Sequence, residues 1–171
     1  MLSKVISGGQ TGADRAALDA ALEHSFPIGG SCPVGRMSED GPIDNVYTLT
    51  EIGGGYRQRT KQNVIDSDGT VIFYESYVRG GTEATVLFCI RQSKPYKLID
   101  IALVEPIRAV ELLGEFVHEF NISVLNVAGP RSSNCPKVYD YVKCAVGILI
   151  KQSTSSGQAW RGFIRHYLTY D

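Results

Sequence analysis

The stretch Ile6-Ser7-Gly8-Gly9-Gln10-Thr11-Gly12-Ala13-Asp14-Arg15, continuing as AALDAAL to Leu22, decides how the rest of the chain is read. It joins a short apolar run, Lys4-Val5-Ile6, to a segment whose Ala17, Leu18, Ala21 and Leu22 fall on one helical face. Paired glycines let the backbone turn sharply and bring bare amides close to a ligand, and the start of a helix adds about half a positive charge. Thr11 and Asp14 have capping-box spacing, so a well-capped helix alone accounts for those two. A cap gives no reason for Gly8, Gly9, Gln10, Gly12 and Arg15, and an anion or nucleotide site does.

The same rhythm recurs downstream. Thr70–Tyr74, Leu98–Leu103 and Val124–Val127 are continuous apolar, β-branched runs without polar alternation, as a parallel sheet covered on both faces requires. Helical spacing marks Thr82–Gln92, Pro106–Phe120 and Pro136–Ile150, with Pro106 suited to a first helical position. Strands alternating with helices predict an α/β chain, a three-layer α/β/α Rossmann-like fold around a mainly parallel, doubly wound sheet. Residues 28 to 55 are rich in Gly and Pro and hold at most one or two short strands, best placed at Val46–Leu49.

Residues 1–152 are read as one ligand-binding domain, and 153–171 as a C-terminal helical extension of it. Trp160, Phe163, Ile164, Tyr167 and Leu168 there have helical spacing, which serves either packing on the domain or a subunit contact. A homodimer or higher homo-oligomer is expected.

In an open parallel sheet, ligands bind beyond the carboxyl ends of the strands. Two further Gly-bearing loops follow strands and lead into helices, Arg79-Gly80-Gly81-Thr82 and Gly129-Pro130-Arg131-Ser132-Ser133. All three loops therefore converge on one rim if the sheet is parallel. Thr82 is a plausible N-cap, so capping and phosphate contact both explain the second loop. Arg131 offers a fork of donors suited to phosphate or carboxylate. In the polar run Tyr56 to Asn63, Arg57 and Arg59 are placed to reach an anion, while Asn63 and Asp68 fix loops; a solvated helix and a turn explain the same residues.

The chain has 171 residues, 43% of them hydrophobic and 20% charged, with 17 Lys plus Arg against 18 Asp plus Glu. This length buries roughly 70% of the unfolded surface without needing staples, and the composition excludes intrinsic disorder. The net charge of -1 lacks the footprint of a nucleic-acid binder. No apolar run approaches the ~20 residues that span a bilayer, and the opening MLSKVISGG has no secretory core, so a cytoplasmic location is expected.

Cys32, Cys89, Cys135 and Cys144 lie far apart with no C-x-x-C pair, so reduced structural thiols are expected and a metal site is not. His24, His118 and His166 make no catalytic set. Ser7, Gly9 and Gly12 stand where a dinucleotide fingerprint needs three glycines, and Gly30 and Gly35 are followed by Arg36-Met37 rather than Lys and Ser or Thr. NAD enzymes and Walker-type ATPases are thereby excluded.

Five stretches together, ISGGQTGADRAALDAAL, SEDGPI, YRQRTKQNVIDSDGTVIF, RGGTEAT and LNVAGPRSSNCPKVY, resemble the molybdenum carrier family over roughly residues 3 to 150. Its members are small Rossmann-like proteins related to the Lonely Guy, lysine-decarboxylase-like phosphoribohydrolases and to bacterial sensors of nucleotide-derived ligands. The resemblance implies a small, phosphate-bearing ligand, molybdenum cofactor or another nucleotide-like molecule. It implies binding through Gly8, Gly9, Gln10, Thr11, Gly12, Asp14 and Arg15, through Gly80, Gly81, Thr82 and Glu83, and through Gly129, Arg131 and Ser132.

The phosphoribohydrolase relatives carry a P-G-G-x-G-T-x-x-E pattern with a catalytic glutamate. Here Arg79-Gly80-Gly81-Thr82-Glu83 lacks the intervening glycine and sets the acid directly after the threonine. Binding or carrying is therefore the first expectation. Cleavage of a nucleotide N-glycosidic bond, with Asp14 or Glu83 as acid or base, is the alternative.

Overall fold

The computed structural model describes residues 1–154. In chain order the elements are β1 (Lys4–Ile6), α1 (Ala13–Glu23), β2 (Ile28–Gly29), β3 (Ser31–Pro33), β4 (Met37–Ser38), β5 (Gly41–Pro42), β6 (Thr50–Ile52), α2 (Gly55–Asp66), β7 (Gly69–Tyr74), α3 (Gly80–Arg91), β8 (Tyr96–Asp100), α4 (Pro106–Glu119), β9 (Val124–Ala128) and α5 (Val138–Thr154). Five strands form one parallel sheet in the order β2-β1-β9-β7-β8, with Val5 beside Leu125, Thr70 beside Asn126 and Ile72 beside Leu98. The chain winds outward from β1 to β2 and from β7 to β8, then returns through α4 to insert β9 in the middle.

Apolar faces divide the helices between the two sides of the sheet. Ala13, Ala16, Ala17, Ala20 and Ala21 of α1 pack with Leu113 of α4, Val142 and Leu149 of α5, and Val71, Phe73 and Leu125 of the sheet. The alanines let α1 and α5 lie close. On the opposite face Val64 of α2 and Phe88 and Cys89 of α3 pack on Ile72. Ile72 points one way while Val71 and Phe73 point the other, as the two-residue period of a strand requires. The result is a three-layer α/β/α Rossmann-like fold with a doubly wound parallel sheet.

Local differences from the sequence reading have physical causes. Residues 28 to 55 hold five short strands, β2 to β6, rather than one or two, and Val46–Leu49 is not one of them, the strand there being β6 just after it. The Arg36 guanidinium takes the carbonyls that a strand there would need: Nε donates to Ile43 O, Nη1 to Leu49 O, and Nη2 to Asp44 O and Tyr47 O. β8 ends at Asp100, whose Oδ1 accepts the amides of Ser76 and Ala102 and turns the chain. α3 starts at Gly80, two residues before Thr82, and no side chain caps it. α5 starts at Val138, and since it runs to Thr154 the expected boundary at 152–153 falls inside a helix. The aromatic stripe Trp160 to Leu168, read as part of a helical extension, lies outside the described residues, as does His166.

Candidate functional site

β1, β9 and β7 are neighbours and parallel, so the segments that follow them leave the sheet at one rim. There they border a cleft of about 700 Å³, walled on its other side by α2. This is the rim beyond the carboxyl ends of the strands, beside the place where the chain reverses its winding.

The β1–α1 loop and the β9–α5 loop are stitched together. Gly12, at φ +75°, lies so close to the second loop that a Cβ would sit 2.3 Å from Pro130 O. Ala13 N donates to Pro130 O at 3.1 Å, so the first amide of α1 is taken by protein. Gly12 is the N-cap and no side chain caps α1. The capping-box reading of Thr11 and Asp14 therefore fails: the Thr11 hydroxyl donates to Glu39, and Asp14 Oδ2 accepts from Arg59 Nη1 at 2.6 Å. Arg59 reaches this point because residue 8 is glycine; a Cβ there would lie 1.4 Å from Nη1.

Glu39 and Asp40 of the β4–β5 hairpin brace the same corner. Glu39 accepts from Ser133 N and Ser133 Oγ as well as Thr11, joining three segments. Asp40 accepts from Ser38 Oγ and from the Arg15 guanidinium, which also donates to Gly9 O. Burial opposes ionisation of Glu39, but its Ser133 and Thr11 donors outweigh that and lower its pKa. The Ser38 hydroxyl, with Arg15, lowers that of Asp40.

The β7–α3 segment forms a different kind of edge. A γ-turn centred on Ser76, at φ +63°, closes through Tyr77 N to Glu75 O at 2.7 Å. Backbone strain of this kind concentrates at functional sites. α3 then opens onto the cleft with Gly80 and Gly81, and a Cβ at either position meets nothing within 4 Å. With no side-chain cap, the first amides of α3 have no intrahelical acceptor and lie at the positive end of its dipole.

Arg57, Arg59, Arg79 and Arg131 line the cleft together with the carboxylates Asp14 and Glu75. Arg59 pairs with Asp14, and Glu75 pairs with Lys137 at 2.6 Å. Lys137 and then Cys135 donate to Glu75 and hold its carboxyl below the usual range. Burial, and then Glu75, push the Cys135 thiol up, so the cleft-lining cysteine stays protonated. Arg57, Arg79 and Arg131 have no carboxylate in ion-pair contact among the described residues. Arg59 and Arg131 both lie over the Tyr56 ring, at 5.8 and 5.3 Å.

At the floor Gln10 is 5% exposed. Its Oε1 accepts from Thr11 N at 3.0 Å and Glu39 N at 2.9 Å, which fixes the amide's orientation. Among the described residues its Nε2 has no partner, and neither has Arg59 Nε. A buried donor left unpaired costs on the order of 1–3 kcal/mol.

Of the residues expected from sequence, the cleft is lined by Gly8, Gln10, Asp14, Gly80, Gly81, Thr82, Gly129 and Arg131. Gly9, Thr11, Gly12, Arg15, Glu83 and Ser132 lie outside the lining. Arg15 is turned into the β4–β5 hairpin, and Glu83 is exposed on α3. Thr11 and Ser132 meet each other instead, Ser132 N donating to Thr11 Oγ1 at 3.3 Å.

Tyr56, Glu75, Tyr77, Asn126 and Cys135 line the cleft and were not singled out as site residues. Tyr56, Tyr77 and Asn126 lie within three residues of a quoted glycine or arginine and Glu75 directly follows β7, and that position was the available signal; Cys135, four residues from Arg131, had none. Asn63 and Asp68 do fix loops: Asn63 Oδ1 accepts from Ser31 N, and Asp68 Oδ2 accepts from Ser123 N and Val124 N. Among the described residues no three His, Cys, Asp or Glu side chains are grouped to hold a metal, and no helix is long and apolar enough to cross a membrane.

No curated protein matches the chain. Among solved structures, a "Putative molybdenum carrier protein" from Syntrophus aciditrophicus SB is 39% identical, with a TM-score of 0.85 over 87% of this chain and 95% of that one. The model of the circularly permutated YpsA SLOG family matches residues 5–150. That span includes every segment around the cleft, and the chain belongs to this family.

Proposed function

We propose that the protein binds and carries a small phosphate-bearing, nucleotide-like ligand in the rim cleft. The carrying observation is the uncapped start of α3, bare at Gly80 and Gly81, facing the same cleft as Arg57, Arg79 and Arg131, which lack carboxylate partners among the described residues. In a chain of net charge -1, three such arginines lining the cleft onto which a helix N-terminus opens suit a phosphate. The cleft's volume is that of a small-molecule site.

A molybdopterin-type cargo, suggested by the neighbour's name, fits these residues at its phosphate end. Gly81, Thr82 and Arg79 would hold the phosphate. The dithiolene-bound metal would be cargo.

The alternative, hydrolysis of a nucleotide N-glycosidic bond, finds one of its two candidate acids outside the cleft, since Glu83 is not in the lining. Asp14 remains, ion-paired to Arg59.

The test is calorimetric titration of AMP into wild type and Gly81→Asp. A Cβ at Gly81 meets nothing, so the variant folds, while its carboxylate faces an incoming phosphate. Affinity falls about a hundredfold, the loss of one strong charge-assisted contact plus repulsion. Equal affinity for the two proteins, or none for wild type, would count against phosphate binding at α3.

A further inference from the structure

We infer that the cleft has a second, uncharged subsite at its floor, where Gln10, Arg59 and Asp14 take a sugar hydroxyl of the ligand. The inference rests on the phosphate-binding reading and gives the ligand a direction: phosphate at α3, hydroxylated portion at the β1–α1 loop. This reverses what the glycine-rich β1–α1 loop suggests on its face, because two of its amides are taken within the protein and Gly8 is covered. Ala13 N is bonded to Pro130 O, Thr11 N to Gln10 Oε1, and Arg59 lies across Gly8.

Three observations carry it. Gln10 is nineteen-twentieths buried, lines the cleft, and has an Nε2 with no partner among the described residues. That donor cannot be exchanged for the amide oxygen, since Oε1 holds two backbone N–H groups from different segments. The corner holds a matched pair, Arg59 with Asp14 at 2.6 Å, whereas Arg79 at the start of α3 has no carboxylate in ion-pair contact among the described residues. A second phosphate placed beside Asp14 would meet a carboxylate. A hydroxyl meets complementary groups, accepting from Gln10 Nε2 or Arg59 Nε and donating to Asp14, whose Oδ2 alone accepts a hydrogen bond among the described residues.

Gln10→Glu tests this cleanly. It keeps an oxygen for Thr11 N and Glu39 N and replaces only the unpartnered donor by an acceptor. Wild type, Gln10→Glu and Asp14→Asn are titrated at pH 8 with inorganic phosphate and with ribose 5-phosphate, and their thermal unfolding is recorded.

Wild type binds ribose 5-phosphate about tenfold or more tightly than phosphate, the yield of one or two added hydrogen bonds. Gln10→Glu melts as wild type does, keeps its affinity for phosphate and loses the preference for the sugar phosphate. Asp14→Asn, a second route to the same readout, also loses the preference. An unchanged preference in both variants, or no preference in wild type, overturns the sugar subsite while leaving phosphate binding at α3 intact. Absence of binding by wild type to either probe overturns the phosphate reading, and the subsite falls with it.

Discussion

Gly12 and Gly81 stand at the starts of two helices, yet their neighbours give them opposite roles. Gly12 adopts φ +75° against the β9–α5 loop, where a Cβ would strike Pro130 O and Ser132 N, both of them backbone. Gly81 adopts no such conformation and its Cβ position is open. Gly12→Ala is therefore expected to destabilise the protein by about 3 kcal/mol, from the left-handed conformation and the clash together. Gly81→Ala stays within about 1 kcal/mol of wild type, since alanine is the better helix former. Urea unfolding of the two variants measures both, and equal stabilities would show that the β1–α1 and β9–α5 loops are not in contact. The sequence alone presents both residues as members of glycine-rich loops. Which glycine is packed and which is bare depends on partners 118 and more residues away, and no local pattern carries that.

At the scale of elements, long periodic segments were readable and irregular ones were not. α4 and β7 follow from apolar spacing because each makes most of its contacts through one face or one continuous run. The region from β2 to β6 was opaque because side chains organise it: Arg36 gathers four carbonyls, and Glu39 and Asp40 reach the β1–α1 loop, α1 and the turn at Ser133. Two predictions belong here.

Asn63 of α2 holds Ser31 of β3 through both its amide atoms, at 2.7 and 3.3 Å, in a buried setting. Asn63→Leu leaves a buried backbone N–H and C=O unpaired and costs about 3 kcal/mol by chemical denaturation. A loss under about 0.5 kcal/mol, the usual range for surface changes, would mean that α2 is not anchored there. The second prediction is an acid dependence. Asp40 has its pKa lowered in the folded chain by the Ser38 hydroxyl, and then by Arg15. Its stabilising effect is thus fully present above the ordinary carboxylate value near pH ~4 and is lost as pH falls through the lowered one. The urea midpoint should hold steady from about pH 7 to 5 and drop below about pH 4, with a shallower drop in Asp40→Asn. Identical acid profiles for variant and wild type would remove the hairpin brace from the account.

For the whole molecule, a parallel sheet was legible in the apolar runs, and with it the convergence of three loops on one rim, whereas the order β1-β9-β7 was not. Nor was the distribution of charge within that rim. Arg59 lies 45 residues from Asp14 and 51 from Gly8, and its arrival covers Gly8 and pairs the carboxylate of Asp14. The start of α3, preceded by Arg79, stays bare instead, and from sequence it was the less informative loop. On the proposed function, anions are received at Gly80 to Thr82, not at Gly8 to Gly12. Nitrogen–proton correlation NMR during titration with inorganic phosphate reads this residue by residue. The amides of Gly81 and Thr82 should show the largest shifts, with Gly9 and Gly12 nearly still; the largest shifts at Gly9 and Gly12, or none at α3, would contradict it.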